Sequence, residues 1–351
     1  MSLLTNNETP VYDFTNKGNY SGAKSISATD LLNRQIKDIP YLVEPILQKV
    51  GLACIAGSSD TGKSSLLRNL CMRIVSGKSE FLGFQIHSKH RRAIYVSTED
   101  DETAMAYLLN KQNKDMGVAS TDVQGLKFIF DTENILQTLD EELTCAPADI
   151  VCIDAFTDLY GKSMNESNQV RSFLNEYSQL AQKHQCLMLF LHHCGKRTED
   201  GEPSKHNLLG SQAFEAKMRL VMELRSDIVD TSLKHLCIVK GNYLPSEYKN
   251  ESYQLRFTEN MTFINTGERI PFENLAKEED SKTRKYELIK MYQSQGLSME
   301  EVSQKLGYKN KSSISRILQK YDKNSVANTL HIATESNTVE QQNEKDVKIP
   351  F

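Results

Sequence analysis

The sequence lacks the paired cysteines and the long apolar runs that mark several common protein classes. Its seven cysteines include no CxxC pair, which excludes a zinc-knuckle or disulfide-framework pattern and predicts reduced thiols in a reducing compartment. No apolar run approaches the length that spans a bilayer, and the first residues are polar, without the apolar segment of a secretory leader. We therefore expect a cytoplasmic protein with no membrane partner.

The sequence also lacks an excess of charge of either sign. Its net charge is −4 over 351 residues, which excludes a uniformly basic nucleic-acid binder and confines any such surface to a local patch. Composition shifts along the chain predict five segments. These are a flexible arm (1–28), an α/β domain (29–272), a linker (273–280), a small helical domain (281–323) and a disordered tail (324–351).

Short apolar runs alternate with amphipathic stretches through the second segment, which is typical of α/β layering. The runs are continuous rather than alternating, as in strands buried on both faces, so they predict a mainly parallel central sheet. The predicted strands are Leu52–Ala56, Ala93–Ser97, Lys127–Phe130, Ile150–Ile153, Leu187–Leu191, Val221–Leu224 and Leu236–Val239.

The strongest single motif follows the first of these strands. It matches G-x-x-x-x-G-K-[ST] at every fixed position and leads into an amphipathic helix, which is the setting of a P-loop. Such a loop holds nucleotide phosphates on backbone N–H groups and on the positive end of the helix. Lys63 is the predicted ligand of the β- and γ-phosphates, and Ser64 of Mg²⁺. The predicted nucleotide-binding residues are Gly57, Ser58, Ser59, Asp60, Thr61, Gly62, Lys63, Ser64 and Ser65.

Two further strands end in acidic residues, as a nucleotide hydrolase requires. Asp154 closes the run that begins at Ile150 and is the predicted metal-side acid; an ordinary turn residue is the alternative. Glu99, after the run Ala93–Ser97, is the candidate base that orients water. Asp100, Asp101 and Glu102 compete for that role, and some of these acids are expected to cap the next helix instead.

A pair of histidines, His192 and His193, follows the strand Leu187–Leu191. A metal site would need a third ligand at useful spacing, and none is nearby. We expect a polar sensor of the γ-phosphate here, with His193 as the candidate; a hydrogen-bonded structural histidine is the alternative.

In their order along the chain, these motifs resemble those of one family. The resemblance spans Ile39 to Pro245 and is to the RepA-like hexameric helicases, a branch of the RecA-like ATPases. It rests on the string IPYLVEPILQKVGLACIAGSSDTGKSSL, on Tyr95–Asp100, Leu189–His193 and Asn207–Ser211, and on Lys240–Pro245. It implies a RecA-like P-loop core, ATP and Mg²⁺ as cofactors, and a homo-oligomeric ring or filament, a hexamer in that family. ATP sites would then lie between subunits.

In that family a basic residue from the neighbouring subunit completes each site. Arg219 is the positional match, on a predicted helix that also carries Lys217, and Lys240 is the second candidate. A solvated helix face is the alternative for Arg219.

Residues 281–323 predict three short helices in a helix-turn-helix arrangement. Gly296 should end the first helix, and Ser298 with Glu301 forms a capping box for the second. The segment holds ten Lys and Arg residues against four Asp and Glu, a local excess suited to DNA phosphates. The predicted DNA-binding residues are Lys309, Lys311, Ser312, Ser313 and Arg316. A protein-packing module with a solvated basic face is the alternative.

Three functional hypotheses remain open at this point. The first is a RepA-like ATPase that works on DNA in replication or in the maintenance of a mobile element. The second is a regulatory or defence ATPase whose ATP state controls oligomerisation and duplex binding without unwinding. The third is a small-molecule P-loop kinase, which the sequence disfavours because no segment resembles an acceptor-substrate lid.

The final residues Ile349-Pro350-Phe351 resemble the acidic tip by which single-strand DNA-binding proteins recruit replication proteins. Lys345 and Lys348 interrupt the acidic character, so a tail end without function is favoured.

Overall fold

The computed structural model describes residues 25–195, 198–210, 212–276, 280–306, 308 and 311–319; the side chains of residue 199 and of residues 280–285 lie outside that description. The chain divides into two compact units, Met1–Ile39 and Pro40–Phe351. In the first unit, helix α1 (Ala28–Asn33) begins after Ser27, whose side chain accepts a hydrogen bond from Asp30 N at 3.1 Å. The second unit begins later than the predicted boundary at residue 29.

The second unit is built on β-strands that form two sheets. The strands are β1 (Tyr41–Glu44), β2 (Leu47–Gln48), β3 (Gly51–Gly57), β4 (Glu80–Phe81), β5 (Phe84–Ile86), β6 (Ala93–Ser97), β7 (Leu126–Ile129), β8 (Ile150–Asp154), β9 (Leu187–His193), β10 (Leu220–Ser226), β11 (Leu233–Gly241), β12 (Glu251–Phe257) and β13 (Phe263–Pro271). The central sheet has nine strands in the order β13-β12-β11-β10-β3-β9-β8-β6-β7, and a small sheet has the order β2-β1-β5-β4.

The prediction of a mainly parallel α/β sheet is confirmed. The strands from β10 through β3, β9, β8 and β6 to β7 pair in parallel, and β11, β12 and β13 extend the sheet as an antiparallel meander. Each predicted strand is present, with β7 starting one residue earlier than expected. β12 and β13 were not predicted, because their half-exposed residues do not form a continuous apolar run.

Helices cover both faces of the central sheet. They are α2 (Lys63–Val75), α3 (Glu102–Met116), α4 (Ile135–Cys145), α5 (Phe156–Leu159), α6 (Ser167–His184) and α7 (Gln212–Lys217). Side chains alternate along β3: Ala53 and Ile55 join the apolar cluster under α2, whereas Leu52, Cys54 and Ala56 join the cluster under α4 and α6. This alternation makes β3 the centre of a three-layer arrangement. Within the described residues, no helix is long and apolar enough to cross a membrane.

Three helices form the C-terminal module, namely α8 (Asp280–Ser294), α9 (Met299–Lys305) and α10, which covers residues 311–319. Gly296 adopts a φ of +86° after α8, as the predicted helix stop requires. The predicted capping box between Ser298 and Glu301 is present at the start of α9. The module's buried residues Ile289, Val302, Leu306 and Ile314 share one apolar cluster with Val229 from the turn between β10 and β11.

The predicted linker is partly ordered structure. Phe272–Leu275 forms a 3-10 helix, and Phe272 and Leu275 pack on Cys237 of β11. Residues 277–279, residues 1–24 of the predicted arm and the whole predicted tail (324–351), with its Ile349-Pro350-Phe351 end, lie outside the described residues.

Candidate active site

The phosphate loop joins β3 to α2 and depends on two glycines. A Cβ atom on Gly57 would lie 2.3 Å from the Leu224 carbonyl oxygen of β10, so only glycine allows this close approach. Gly62 has a φ of +91°, which disfavours any residue with a side chain. The first backbone hydrogen bond of α2 runs from Leu66 N to Gly62 O. The N–H groups before it therefore face the loop, as an anion site at a helix start requires.

Lys63 lies inside this loop rather than in solvent. Its side chain is 5% exposed, and its Nζ donates a hydrogen bond to Ser58 O at 2.6 Å. Burial lowers the pKa of Lys63, and the nearby Cys194, Asp154 and Glu99 groups act in the opposite direction. A buried cation beside acidic groups at the mouth of a loop is well placed to bind phosphate oxygens.

The other predicted loop residues differ in their accessibility. Ser59 and Asp60 are exposed at the tip, whereas Thr61 is buried and its Oγ1 donates to Ser58 O at 3.0 Å. Ser65 is also buried, and its Oγ accepts a hydrogen bond from Arg68 Nη2 at 3.2 Å. The Ser65 side chain is thus engaged within the protein, which leaves its backbone N–H as the group that faces the loop.

Asp154 and Ser64 meet at the metal-side edge of the loop. Asp154 ends β8 and is 6% exposed. Tyr95 OH donates to Asp154 Oδ2 at 2.5 Å. Burial raises the pKa of Asp154, while hydrogen bonds from Tyr95 and Ser64 and the charge of Arg68 oppose that shift. Tyr95 was missed by sequence reasoning; a polar atom in the middle of the apolar run Ala93–Ser97 is the signal that could have found it.

Glu99 and His193 form a second pair near Asp154 and Ser64. Glu99 follows the end of β6, and His193 is the last residue of β9. The Glu99 side chain is 60% exposed, and its Oε1 is 3.9 Å from His193 Nε2. Partial burial raises the pKa of Glu99, reinforced by the negative charges of Asp154, Asp158 and Asp100. Burial and the charge of Lys63 lower the pKa of His193. A carboxylate with a raised pKa beside a histidine that stays neutral suits proton transfer near neutral pH.

Sheet register brings these groups together. Gly57 pairs with His193 at the ends of β3 and β9, and Ser97 pairs with Asp154 at the ends of β6 and β8. The carboxyl ends of four parallel strands therefore deliver the loop, the histidine and both acids to one edge of the sheet.

The acids after Glu99 separate into different roles. Asp101 is the N-cap of α3 and accepts a hydrogen bond from Ala104 N at 2.8 Å, as the capping alternative predicted. Asp100 instead faces α2, where its Oδ2 is 3.8 Å from Arg68 Nη1.

The two histidines also separate. His192 is fully buried, with its ring centroid 4.4 Å from that of Phe214 and 5.5 Å from that of Phe156. Its Nε2 donates to Leu209 O at 2.8 Å, and burial lowers its pKa to about 4. His192 is thus a neutral structural histidine, and His193 alone faces the site.

A comparison with protein-family models matches residues 21–199 to a family described as the AAA domain. The match spans half of the chain. The chain belongs to this AAA-domain family. Among solved structures, the "ATPase Domain of G40P" is similar, with 13% sequence identity, a TM-score of 0.51, and coverage of 68% of this chain and 95% of that chain. At this identity the likeness shows the fold alone, a RecA-like P-loop core.

A search of curated proteins found no match to the chain.

In this AAA-domain chain, Arg219 and Lys240 lie away from the loop. The prediction that a helix carries Arg219 is wrong, because α7 ends at Lys217 and the chain turns to enter β10. Arg219 is exposed, and its N donates to Leu52 O at 2.8 Å, at the amino end of β3. Lys240 Nζ lies 2.8 Å from Glu215 Oε1. Arg219 lies level with Leu52, five residues before Gly57, which is about 16 Å along β3 at 3.3 Å per residue. Lys240 pairs with Val221, which is level with Cys54, about 10 Å before Gly57 along the strand direction.

The predicted DNA-binding residues lie on one helix of the module where the structure describes them. Lys311, Ser312 and Arg316 are exposed on α10, Ser313 is half-buried, and Ile314 faces the module core. Lys311 Nζ is 3.5 Å from Glu300 Oε2, and both side chains are more than half exposed, so this ion pair is weak. Lys309 and Ser211 lie outside the described residues.

The site's donor set fits Mg²⁺ bound together with a nucleotide. In the part of the chain that the structure describes, no group of three or more His, Cys, Asp and Glu residues forms a metal cage. Mg²⁺ takes few protein ligands when phosphates supply the others, and Ser64 with Asp154 offers a hydroxyl and a carboxylate in contact.

Proposed function

We propose that the chain is a RepA-like, DNA-associated ATPase that couples ATP hydrolysis to work on DNA, in the replication or maintenance of a mobile element. The observation that carries the proposal is the convergence of Lys63, Asp154 and Glu99 with His193 at one sheet edge. The AAA-domain match supports the ATPase part. The three-helix C-terminal module, with its local excess of basic residues, supports the DNA part.

Each residue has a task that its position supports. Lys63 and the N–H groups at the start of α2 would bind the phosphates, and Ser64 and Asp154 would hold Mg²⁺. Mg²⁺, when bound, would neutralise charge on the phosphate oxygens. Tyr95 holds the Asp154 carboxylate in its orientation through their hydrogen bond. Glu99 would accept a proton from the attacking water, because its carboxylate lies at the same sheet edge as Lys63 and Asp154, and its raised pKa makes it a stronger base than an ordinary glutamate.

DNA contact would use α10. Its exposed Lys311 and Arg316 side chains suit phosphates and base edges, and a helix of this kind fits the major groove. The local excess of basic residues in 281–323 supplies the electrostatic attraction that the whole chain lacks.

One observation favours the regulatory alternative, in which ATP controls duplex binding without unwinding. The module shares its core with Ile228 and Val229 in the β10–β11 turn. Asp227 shapes that turn by accepting hydrogen bonds from Val229 N and Asp230 N at 2.8 and 2.9 Å, and its other oxygen is 2.9 Å from His235 Nε2. Because β10 also contacts Gly57 of the loop, this one strand touches both the nucleotide site and, through the turn that follows it, the C-terminal module.

Strand displacement and DNA binding, measured in parallel on the full chain, test the proposal. We expect the parent chain to displace a DNA strand when ATP is present, and Lys63→Ala to displace none. ATP turnover without displacement, but with an ATP-dependent change in duplex affinity, would replace the proposal with the regulatory alternative. In that case Val229→Ser should abolish the effect of ATP on duplex affinity while ATP binding persists. Absence of ATP turnover would exclude both functions.

A further inference from the structure

A buried arginine lies directly behind the candidate site. Arg68 follows Lys63 by five residues on α2, and its side chain is 2% exposed. Its Nη2 donates to Ser65 Oγ at 3.2 Å, and its Nη1 lies 3.8 Å from Asp100 Oδ2. Among the described residues, its Nε and Nη1 have no hydrogen-bond partner. A guanidinium buried with so few hydrogen bonds is costly for the fold, so its position calls for a functional explanation.

The segment that carries Glu99 is held through its neighbours rather than through Glu99 itself. Before Glu99, the Thr98 hydroxyl oxygen lies 2.6 Å from Asp158 Oδ2 and accepts a hydrogen bond from Ala155 N at 2.9 Å. A second hydrogen bond spans Glu99: Ser97 Oγ, before it, donates to Asp100 O, after it, at 2.8 Å and closes a tight turn. Asp100 then extends its carboxylate toward Arg68.

Glu99 therefore stands between two anchors, one at the junction of β8 with α5 and one on α2. Its own side chain is 60% exposed, and its Oε1 lies 3.9 Å from His193 Nε2, beyond hydrogen-bond distance. A side chain this exposed reaches a reacting water in a fixed geometry only if its backbone is fixed. Misplacement by about 1 Å can cost on the order of 100-fold in rate.

We propose that Arg68 is a positioning residue for hydrolysis: by attracting Asp100 it fixes the turn that aims Glu99 at the phosphate loop. This inference rests on the proposed ATPase function and on Glu99 as its base. Arg68 itself does not touch the nucleotide. The competing explanation is that Arg68 only stabilises the packing of α2 on the sheet.

Four variants of the full chain separate the two explanations: Arg68→Met, Arg68→Lys, Asp100→Asn and the Arg68→Met/Asp100→Asn double. Arg73→Met is the matched control, since Arg73 lies on the same helix and its Nη1 is 3.5 Å from Glu80 O, away from the site. The measurements are kcat and KM for ATP with Mg²⁺, the Kd of a fluorescent ATP analogue, the Tm, and hydrogen exchange of the peptide that contains Glu99.

For Arg68→Met we expect kcat to fall by about 10- to 100-fold, with the nucleotide Kd within about threefold of the parent. Hydrogen exchange around Glu99 should rise. Arg68→Lys should recover part of kcat because it keeps the charge. Asp100→Asn should resemble Arg68→Met, and the double variant should be no slower than either single variant, because the two residues act through one contact. Arg73→Met should stay within about twofold of the parent.

The inference is overturned if Asp100→Asn keeps the parent kcat, an outcome that decides the matter even if Arg68→Met does not fold. It is also overturned if the effects of Arg68→Met and Asp100→Asn multiply, or if kcat, Kd and Tm decline together without recovery in Arg68→Lys. An active Glu99→Gln variant would instead remove the base assignment on which the inference depends. A parent that hydrolyses ATP, with Glu99→Gln inactive and Asp100→Asn unaffected, would retain the proposed function and reject only the role of Arg68.

Discussion

The two candidate functional regions of this chain, the phosphate-loop edge and the C-terminal module, are built in opposite ways. At the carboxyl edge of the sheet, Lys63 and Asp154 are almost fully buried, and their neighbours shift the pKa of each. In the helical module the buried residues are aliphatic, while Lys311 and Arg316 extend into solvent. Interactions between charges are strong where water is excluded and weak where it is not. The first region should therefore be sensitive to single substitutions, and the second should respond gradually and depend on salt.

The largest expected effect tests the sensitivity of the nucleotide site. Lys63→Ala should reduce ATP hydrolysis to background, because the phosphates lose the buried cation of the loop. Glu99→Gln should keep ATP bound while turnover falls by about 100-fold or more, since only the base is lost. Nucleotide binding and phosphate release measured side by side distinguish the two variants. If Glu99→Gln turned over ATP like the parent, Asp100 would become the candidate base.

The second prediction concerns Arg219 and tests whether one chain contains a complete active site. We expect Arg219→Ala to bind ATP nearly normally but to hydrolyse it on the order of 10³-fold more slowly, because in the proposed oligomer Arg219 would stabilise the transferred phosphoryl group at a neighbouring subunit's site. Arg219 is exposed at the edge opposite the loop, so it can act only on another subunit. Mixing Arg219→Ala with Lys63→Ala should restore part of the activity at interfaces that have both intact residues.

Specific activity should also rise with protein concentration. Activity independent of concentration, with no rescue on mixing, would show a self-sufficient site and return Arg219 to the role of a surface residue. Lys240→Ala serves as the comparison. Because Lys240 already pairs with Glu215 in its own chain, we expect its effect to appear in stability as well as in turnover.

The C-terminal helical module should respond more gradually. Lys311→Ala should weaken duplex binding uniformly across sequences and reduce the slope of log K against log salt by about 0.9, the value for one phosphate contact. Arg316→Ala should in addition relax any sequence preference. Lys127→Ala, at an exposed lysine of the α/β core, is the charge-matched control. Equal losses in the control and in Lys311→Ala would reassign the module to protein contacts.

The smallest effect concerns pH. With Glu99 as the proposed base, hydrolysis would require its carboxylate form. Its raised pKa then means that activity should decline on acidification at a higher pH than for an ordinary glutamate. Asp158→Asn removes one of the negative charges that raise this pKa and keeps a hydrogen-bonding group for Thr98. The acid limb of the kcat–pH profile should then move to lower pH. Asp122→Asn, exposed and distant in sequence, should leave the profile unchanged; a shift in both variants would point to a general charge effect.

Features encoded in contiguous residues were predicted well from the sequence. The loop Gly57–Ser64 between a strand and a helix, the end of β8 at Asp154, and the capping box of Ser298 and Glu301 are all present as expected. The meander of β12 and β13 and the small sheet were missed, because short or half-exposed strands have no strong periodic signal. The helix assigned to Arg219 was wrong because that position supplies the turn into β10.

By itself, the sequence determined the P-loop, the α/β layering and the charge excess of the helical module, since each depends on residue type and spacing along a short stretch of chain. Tertiary structure alone decided which neighbouring side chain faces the site. It placed His193 there and His192 in the core, gave Tyr95 its hydrogen bond to Asp154, set Arg68 against Asp100, and inserted Val229 into the module. The reason is physical: these contacts join segments far apart in sequence, so strand order and register fix them.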